Sequence, residues 1–279
     1  MSPTWISDEQ PEIPSPRGLQ WILVVLRGSV LMLALGLGLL TLLLLRLVEK
    51  PLYGLRRPWT PHITVFVCRT AFRVLGIRYV VHGRRMKRLG AVVANHSSWM
   101  DIFALNAGDR VYFVSKSEVA SWPGIGLLAK ATGTLFINRD RSEAAAQARI
   151  FEERLGLGHK LLFFPEGTST DGQRVLPFKP TLFAAFFSDA LRDHLWVQPA
   201  TVVYKAPKNR DPRFYCWWGD MEFGSHLLAV LAVPRQAQIE VFWHDPVRVA
   251  DYPDRKALAR ASEQMVRSAH SQSLENRPE

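Results

Sequence analysis

Residues 91–101, AVVANHSSWMD, place a short apolar run directly before a cluster of polar side chains. Residues 160–170, KLLFFPEGTST, repeat the arrangement. Apolar runs of this length are typical of strands that are covered on both faces of a sheet. In open α/β sheets, ligands bind beyond the carboxyl ends of the strands. The two stretches therefore predict an α/β fold with a functional site where these strands end.

From residue 76 onward, further β-rich runs alternate with helical patterns. Strands are predicted at residues 77–81, 91–95, 111–115, 134–138, 160–164, 196–204 and 238–244. Helices are predicted at residues 101–107, 119–131, 142–155, 180–191 and 255–270, with Ser142 as the N-cap of the third. This alternation predicts one α/β domain over residues 76–272, with a central mixed sheet flanked by helices, and a loose C-terminal tail over residues 273–279.

An uncharged run of eighteen residues, 28–45, lies between Arg27 and Arg46. As a helix it would be about 27 Å long, close to the hydrocarbon thickness of a bilayer. A cleaved signal peptide is the alternative, but its apolar region is shorter and follows a basic start, whereas residues 1–17 are acidic and rich in proline. The sequence predicts a loose tail over residues 1–17 and a membrane anchor, a helix or hairpin, over residues 18–50.

The segment after the anchor, residues 51–75, combines arginines with Trp59, Phe66 and Phe72. This composition is typical of an amphipathic helix that lies among anionic headgroups. A helix that packs on the globular domain is the alternative. Basic residues are more numerous after the apolar run than before it, which predicts that the following domain lies on the cytoplasmic side of the membrane.

The overall charge and the cysteine count exclude several classes of protein. The 279 residues carry 35 Lys+Arg against 25 Asp+Glu, a formal net charge of +10 that favours anionic partners. Zinc-finger spacing, an aromatic RNA-binding signature and a basic zipper are all missing from the sequence, so nucleic acid is not expected as the partner. Cys68 and Cys216 are too few for a disulfide-stapled scaffold or a four-cysteine zinc site.

The first polar cluster contains a candidate acid–base pair, His96 and, five residues further on, Asp101. If the carboxylate accepts a hydrogen bond from one ring nitrogen, the other nitrogen can take a proton from an alcohol. A purely structural pair is the alternative, since this spacing is common. Ser97 and Ser98 are candidate nucleophiles, but neither lies in a G-x-S-x-G elbow, and helix capping is the simpler role.

In the second polar cluster, Pro165 ends the strand, Gly167 permits a close backbone approach, and Glu166 and Thr168 offer polar groups. These groups could bind a polar headgroup; a Pro/Gly turn with capping hydroxyls is the alternative. Arg139 follows another predicted strand, and its planar guanidinium matches phosphate or carboxylate. A surface ion pair is the alternative for Arg139.

In combination, these stretches resemble the glycerolipid acyltransferases, which make phosphatidate from lysophosphatidate, and their lyso-lipid acyltransferase relatives. Four blocks follow the family's order over roughly residues 75–245. They are Asn95-His96-x-Ser98-x-x-Asp101; Lys116, Pro123, Gly124 and Gly133 running into Phe136-Ile137-Asn138-Arg139; Phe164-Pro165-Glu166-Gly167-Thr168; and Val197-Gln198-Pro199-Ala200. The ordered combination of the first and third blocks is highly specific to this family.

The resemblance implies that His96 is the general base for an acceptor hydroxyl and that Asp101 orients it. The alkoxide then attacks an acyl thioester of acyl carrier protein or coenzyme A, without a metal or a tightly bound cofactor. Backbone N–H groups near Gly167 or in the second block are expected to stabilise the oxyanion. The resemblance assigns the acceptor headgroup to Glu166, Gly167, Thr168, Arg139 and Lys116, and support of the motifs to Asn95, Ser98, Pro165 and Pro199.

One position departs from the family pattern. Members that handle phosphate usually carry Arg after Glu-Gly-Thr, and this chain has Ser169. Without that guanidinium, selection for a phosphate monoester is weaker. The sequence therefore looks more like the bacterial branch that acylates lyso-ornithine lipid, with lysophosphatidate as the alternative acceptor or a second one.

The resemblance also implies a location, the cytoplasmic face of a bacterial inner membrane, with membrane lipids and a lyso-lipid acceptor as partners. Two other classes remain as alternatives. One is a membrane-bound serine esterase that uses Ser97 or Ser98 with His96. The other is a non-catalytic protein that binds membrane lipids.

Overall fold

The computed structural model describes residues 5–7, 9–122, 124–138 and 144–275. A mixed sheet of eight strands lies at the centre, with helices on both faces, as the sequence predicts. The strands are β1 (Arg78–Gly83), β2 (Gly90–Ala94), β3 (Val111–Lys116), β4 (Leu135–Ile137), β5 (Lys160–Phe163), β6 (Trp196–Lys205), β7 (Gln238–Trp243) and β8 (Val247–Arg248). The seven predicted strands are all present, and the short β8 was not predicted.

The order of the strands is β1-β7-β6-β2-β5-β3-β4, and β8 pairs with β6 beside β7. The five strands from β6 to β4 run parallel to one another. By contrast, β7 runs antiparallel to β6, and β1 runs parallel to β7. The polar clusters that follow β2 and β5 therefore emerge side by side at one edge, which we call the carboxyl edge.

The sheet separates two apolar cores, and β2 contributes to both. Val92 and Ala94 belong to the core beneath one face, while Ala91 and Val93 belong to the core beneath the other. Side chains alternate between the faces of a strand, so a strand buried on both sides has no polar position. This is the physical reason for the uninterrupted apolar run.

The α-helices are α1 (Gln20–Tyr53), α2 (Thr60–Leu75), α3 (Asp101–Gly108), α4 (Ile125–Thr132), α5 (Ala144–Gly156), α6 (Phe223–Ala232) and α7 (Arg255–Glu275). Shorter 3₁₀ helices cover Ser117–Ser121, Pro180–Phe187 and Val249–Asp251.

Two helix predictions differ from the structure, and one helix is additional. The helix predicted over residues 119–131 is a 3₁₀ turn followed by α4, because Gly124 between them has a φ of 71°. The helix predicted over residues 180–191 is the 3₁₀ helix Pro180–Phe187. Helix α6 was not predicted, and the predicted N-cap Ser142 lies outside the described residues.

Helix α1 has 34 residues and, among the described residues, is the one helix long and apolar enough to cross a membrane. It lies along the side of the domain. Val24 is buried in the core, and the Arg27 side chain donates to the carbonyls of Leu231 and Val233 at 2.9 and 2.6 Å. Further along, a Cβ added to Gly38 would lie 2.4 Å from the Val67 side chain, so α1 and α2 touch closely.

The junction between α1 and α2 is held by a buried carboxylate. Glu49 accepts hydrogen bonds from the N–H groups of Trp59 and Thr60 at 2.6 and 3.0 Å, and from the Thr60 hydroxyl at 2.7 Å. Arg46 pairs with the same carboxylate at 2.9 Å. The first N–H groups of a helix have no partner within the helix, so Glu49 caps α2 and fixes its start against α1.

The sequence left two roles open for residues 51–75. In the structure α1 continues through Pro51, and α2 packs against α1 and α3 with Cys68, Phe72 and Leu75 buried. Phe66 on the opposite face is exposed. Packing on the domain therefore describes one face of α2. The exposed face combines Phe66 with His62, Arg69 and Arg73, a composition compatible with an anionic headgroup surface.

The N-terminal segment departs from the expected loose tail. Trp5 packs on Trp218 with ring centroids 6.2 Å apart. The Gln10 side chain donates to Asp220 at 2.5 Å, and Arg213 donates to the carbonyl of Glu9 at 3.0 Å. The prediction of a loose tail is wrong for these described residues, which lie against the domain beside the carboxyl edge.

Candidate active site

His96 and Asp101 meet at the carboxyl edge, directly after β2 and at the start of α3. Nδ1 of His96 lies 2.7 Å from Oδ2 of Asp101. Because a carboxylate only accepts, Nδ1 carries the hydrogen and Nε2 carries the lone pair. The Asp101 side chain is fully buried and that of His96 is 24% exposed. The geometry suits a general base, because Asp101 fixes one ring nitrogen and the opposite nitrogen has no hydrogen-bond partner among the described residues.

Three further donors fix the Asp101 carboxylate. The N–H groups of Ser97 and Ser98 donate to Oδ2 at 2.8 and 3.0 Å, and the Tyr204 hydroxyl donates to Oδ1. Burial, followed by the nearby charge of Asp101, raises the pKa of Tyr204 well above its usual value, so the phenol stays protonated and remains a donor. Sequence reasoning missed Tyr204, since a tyrosine within a buried strand carries no signal of its partner.

The main chain and ring of His96 are also held. Its N–H donates to Oε1 of Glu166 at 2.7 Å, and its carbonyl accepts from the N–H of Thr170 at 3.0 Å. The imidazole stacks on Phe164 with centroids 4.1 Å apart. Glu166 and Phe164 of the third block therefore hold His96 of the first block, so the two blocks lie together at the carboxyl edge.

Glu166 is buried, and its second oxygen, Oε2, accepts from the N–H of Leu176 at 2.7 Å. Burial raises the pKa of Glu166 to about 8, and the two N–H donors oppose that shift. In this position Glu166 links the strand end after β2 to the loop after β5. Contact between Glu166 and an acceptor headgroup stays a prediction.

Three of the supporting residues have structural partners. The Asn95 side chain donates to the carbonyl of Val202 at 2.9 Å and accepts from its N–H at 2.8 Å, which extends the pairing of β2 with β6. Ser98 donates to the carbonyl of Tyr215 at 2.6 Å. Pro199 lies where the neighbour of β6 changes from β8 to β7, a point at which a residue without an N–H is tolerated.

The serine-esterase alternative requires an accessible hydroxyl beside His96. Ser97 and Ser98 are both buried, and the Ser98 hydroxyl is used by a main-chain carbonyl. Neither serine therefore presents a nucleophile to a substrate that reaches Nε2 of His96 from solvent. The burial of both hydroxyls argues against the esterase class.

The remaining residues of the third block form the turn after β5. Gly167 has a φ of 74°, and its N–H donates to the carbonyl of Phe164 at 3.0 Å, so this N–H is already used within the turn. The Thr168 hydroxyl accepts from the N–H of Trp5 at 3.2 Å. Pro165 is buried, and its carbonyl accepts from the N–H of Lys179 at 2.9 Å.

The second block is described only in part. Lys116 ends β3 at the carboxyl edge and is half-buried. Arg139 and Pro123 lie outside the described residues. The predicted headgroup roles of Lys116 and Arg139 stay predictions.

Known proteins similar to this chain are acyltransferases. A family model described as Acyltransferase matches residues 72–202. The lyso-ornithine lipid O-acyltransferase of Rhodobacter capsulatus is 55% identical over 270 residues, 97% of this chain and 98% of that protein. The 1-acyl-sn-glycerol-3-phosphate acyltransferase of Neisseria gonorrhoeae is 43% identical over 93 residues, 33% of this chain and 36% of that protein.

A crystal structure of a 1-acyl-sn-glycerophosphate acyltransferase from Thermotoga maritima has the same fold. It matches with a TM-score of 0.66 and 21% sequence identity, and the match covers 93% of this chain and 98% of that chain. Because the match covers 93% of this chain, it includes both the long apolar N-terminal helix and the α/β domain.

Glu166→Gln is expected to change how stability depends on pH. With its pKa raised from 4.5 to about 8, folded Glu166 binds a proton that the unfolded chain releases, so wild-type stability falls as pH rises through this window. The contribution of protonated Glu166 to the free energy of unfolding is fully present below pH 4.5. At higher pH the free energy of unfolding falls with a slope that reaches about 1.4 kcal/mol per pH unit. Chemical unfolding in detergent from pH 5 to 9 measures the free energy of unfolding of both proteins. The value for wild type minus the value for Glu166→Gln should fall as pH rises.

The exposed Glu153→Gln substitution is the matched control, because it removes a carboxylate from the surface of α5. The difference in free energy of unfolding between wild type and Glu153→Gln should not change with pH over the same range. A flat difference for Glu166→Gln as well would mean that the two N–H donors keep Glu166 ionised throughout.

Proposed function

The chain belongs to the acyltransferase family, and from that premise we propose that it transfers a fatty acyl group from an acyl thioester to the free hydroxyl of lyso-ornithine lipid. The observation that carries the reaction type is the pair formed by His96 and Asp101 at the carboxyl edge. The likeness to the Rhodobacter capsulatus protein over nearly the full length of both chains supports the acceptor. Ser169, in place of the arginine of phosphate-handling members, supports it further.

The first step is proton removal from the acceptor. Nε2 of His96 takes the proton of the hydroxyl as its oxygen attacks the thioester carbonyl, and the imidazolium that forms is stabilised by the buried Asp101 carboxylate. The tetrahedral intermediate collapses with breakage of the C–S bond, and His96 returns the proton to the leaving thiolate. Ester and free thiol are the products, and His96 is neutral again.

Direct transfer needs neither a metal nor a covalent acyl-enzyme. The donor in this proposal is an acyl thioester of acyl carrier protein or coenzyme A, since both present the same thioester carbonyl. Both carriers are acidic, and the net charge of +10 favours their approach. The N–H of Gly167 donates within its turn, so the oxyanion must be stabilised by another group of the site.

His96→Ala is expected to lower kcat by about 10²- to 10⁴-fold, the usual contribution of a positioned base. Asp101→Asn should cause a loss of similar size, because a neutral amide lacks the charge that stabilises the imidazolium and holds the hydrogen on Nδ1. Steady-state turnover of purified protein measures both, with the exposed His194→Ala as control. Equal turnover by wild type and His96→Ala would end the catalytic proposal and favour the lipid-binding class.

The acceptor is tested with an acyl carrier protein thioester and two lyso-lipids offered separately, with mass spectrometry of the products. Lyso-ornithine lipid should be acylated in preference to lysophosphatidate. Ser169→Arg should raise kcat/KM for lysophosphatidate by about tenfold, because a guanidinium forms charge-assisted hydrogen bonds with phosphate. Turnover of lysophosphatidate alone by the wild type would overturn the proposed acceptor and support phosphatidate synthesis, the function named for the Neisseria gonorrhoeae relative.

We infer that the protein is held at the cytoplasmic face of the bacterial inner membrane, with α1 inserted in one leaflet. The domain and the α2 helix packed on it contact α1 from Val24 to Glu49, so an upright α1 would draw them into the bilayer. A side of α1 is exposed and apolar, at Leu26, Leu33, Leu40 and Leu47. Residues seven apart share a helix face, so this side can lie in the acyl chains while the opposite side stays on the domain.

Single cysteines at Leu26, Leu33, Leu40 and Leu47, each carrying a spin label, measure this placement in liposomes. All four labels should show similar, shallow depths from quenching by relaxation agents, and a label at the exposed Glu153 should report solvent. A depth profile that passes through the bilayer centre from one end of α1 to the other would instead establish a transmembrane span.

A further inference from the structure

An acceptor built on ornithine presents a carboxylate, because an N-acylated amino acid keeps its α-carboxyl group. A cation near His96 would pair with this carboxylate, and Ser169 stands where the phosphate-handling members of the family usually carry arginine. Resting on the proposed function, we propose that Arg174 is the residue that binds the acceptor carboxylate, and that Trp5 of the N-terminal segment holds the Arg174 side chain in place.

The backbone at Arg174 lies beside the backbone at His96. The Thr170 hydroxyl is 3.4 Å from the carbonyl oxygen of His96 and 3.4 Å from the carbonyl oxygen of Arg174. Two residues further on, the N–H of Leu176 donates to the Glu166 carboxylate that also receives the N–H of His96. The segment that carries Arg174 is thus fixed to the catalytic segment through two shared polar groups.

The guanidinium of Arg174 is held on one edge and accessible elsewhere. Its Nε and Nη2 donate to the two oxygens of Asp171 at 3.3 and 3.1 Å. The Asp171 side chain is 3% exposed, whereas that of Arg174 is 56% exposed. A buried partner orients the guanidinium, so the remaining N–H donors are presented to a ligand with less loss of side-chain freedom on binding.

Trp5 covers the face of this guanidinium. The Arg174 carbon Cζ lies 5.4 Å from the centroid of the Trp5 ring, within the range of a cation–π contact. Trp5 is itself fixed by its N–H on the Thr168 hydroxyl and by its packing on the buried Trp218. The described N-terminal residues thus reach the third block, and Trp5 acts as a positioning residue for Arg174.

The test pairs an enzyme variant with a substrate variant. Wild type and Arg174→Gln are offered lyso-ornithine lipid and its carboxamide analogue, in which the carboxylate is neutral, and kcat/KM is measured for each. Wild type should prefer the carboxylate by about 10- to 100-fold, the size expected for hydrogen bonds to a charged group. Arg174→Gln should lose this preference, and Arg174→Lys should keep part of it.

Arg88→Gln is the matched control, because Arg88 also lies over a tryptophan ring, 4.1 Å from the centroid of Trp196, at the opposite edge of the sheet. It should leave the carboxylate preference unchanged. Retention of the full preference by Arg174→Gln, or an equal loss for both substrates, would overturn the assignment, since a structural role affects both acceptors alike.

The positioning role of Trp5 has a separate readout. Trp5→Ala should raise KM for lyso-ornithine lipid with little change in kcat, and Trp5→Phe should restore most of the affinity because it keeps an aromatic face. A loss of kcat without a change in KM would overturn this role. Absence of lyso-ornithine lipid turnover by the wild type would overturn the proposed function and this assignment with it, whereas turnover that is insensitive to Arg174 would overturn the assignment alone.

Discussion

The buried carboxylate of Asp101 accepts four hydrogen bonds, from the His96 ring, the N–H groups of Ser97 and Ser98, and the Tyr204 hydroxyl. An ionised carboxylate within a core is costly unless its oxygens are paired with donors. The donors to Asp101 come from the segment after β2 and from β6, while Asp101 itself begins α3. Their hydrogen bonds therefore hold these three elements together. The orientation of the His96 imidazole is therefore a consequence of how the buried Asp101 carboxylate is paired with donors.

The second buried carboxylate, Glu166, has a different place in the site. Its donors are main-chain N–H groups of His96 and Leu176, so it joins two loops rather than orienting a ring. Its pKa is raised to about 8 by burial, which the two donors only partly oppose. The sequence block that contains Glu166 is therefore a structural connection between the segments that follow β2 and β5.

The elements outside the α/β domain also have specific places on it. Glu49 caps α2 from the last turns of α1, and Arg27 donates to the carbonyls at the end of α6. These polar contacts, together with the close approach of α1 to α2, keep the long apolar helix against the side of the domain. The N-terminal segment is held at Trp5 beside the third block. The long apolar helix and the segment that precedes it therefore both pack on the α/β domain.

The sequence by itself determined the features that depend on near neighbours. The apolar runs before His96 and Pro165 predicted two strands buried on both faces, and the short spacing of His96 and Asp101 predicted that their side chains meet, as they do at 2.7 Å. The length of the uncharged run identifies α1. Each of these follows from periodicity or short spacing, which tertiary packing does not alter.

Only the tertiary structure decided which distant groups complete the site. Tyr204 lies 103 residues from Asp101, and Trp5 lies 163 residues from Thr168. The structure likewise decided that Glu166 faces main-chain donors and that α1 lies along the domain. The physical reason is that such contacts depend on the order of strands in the sheet and on which faces pack together, and the local pattern of residues does not carry that information.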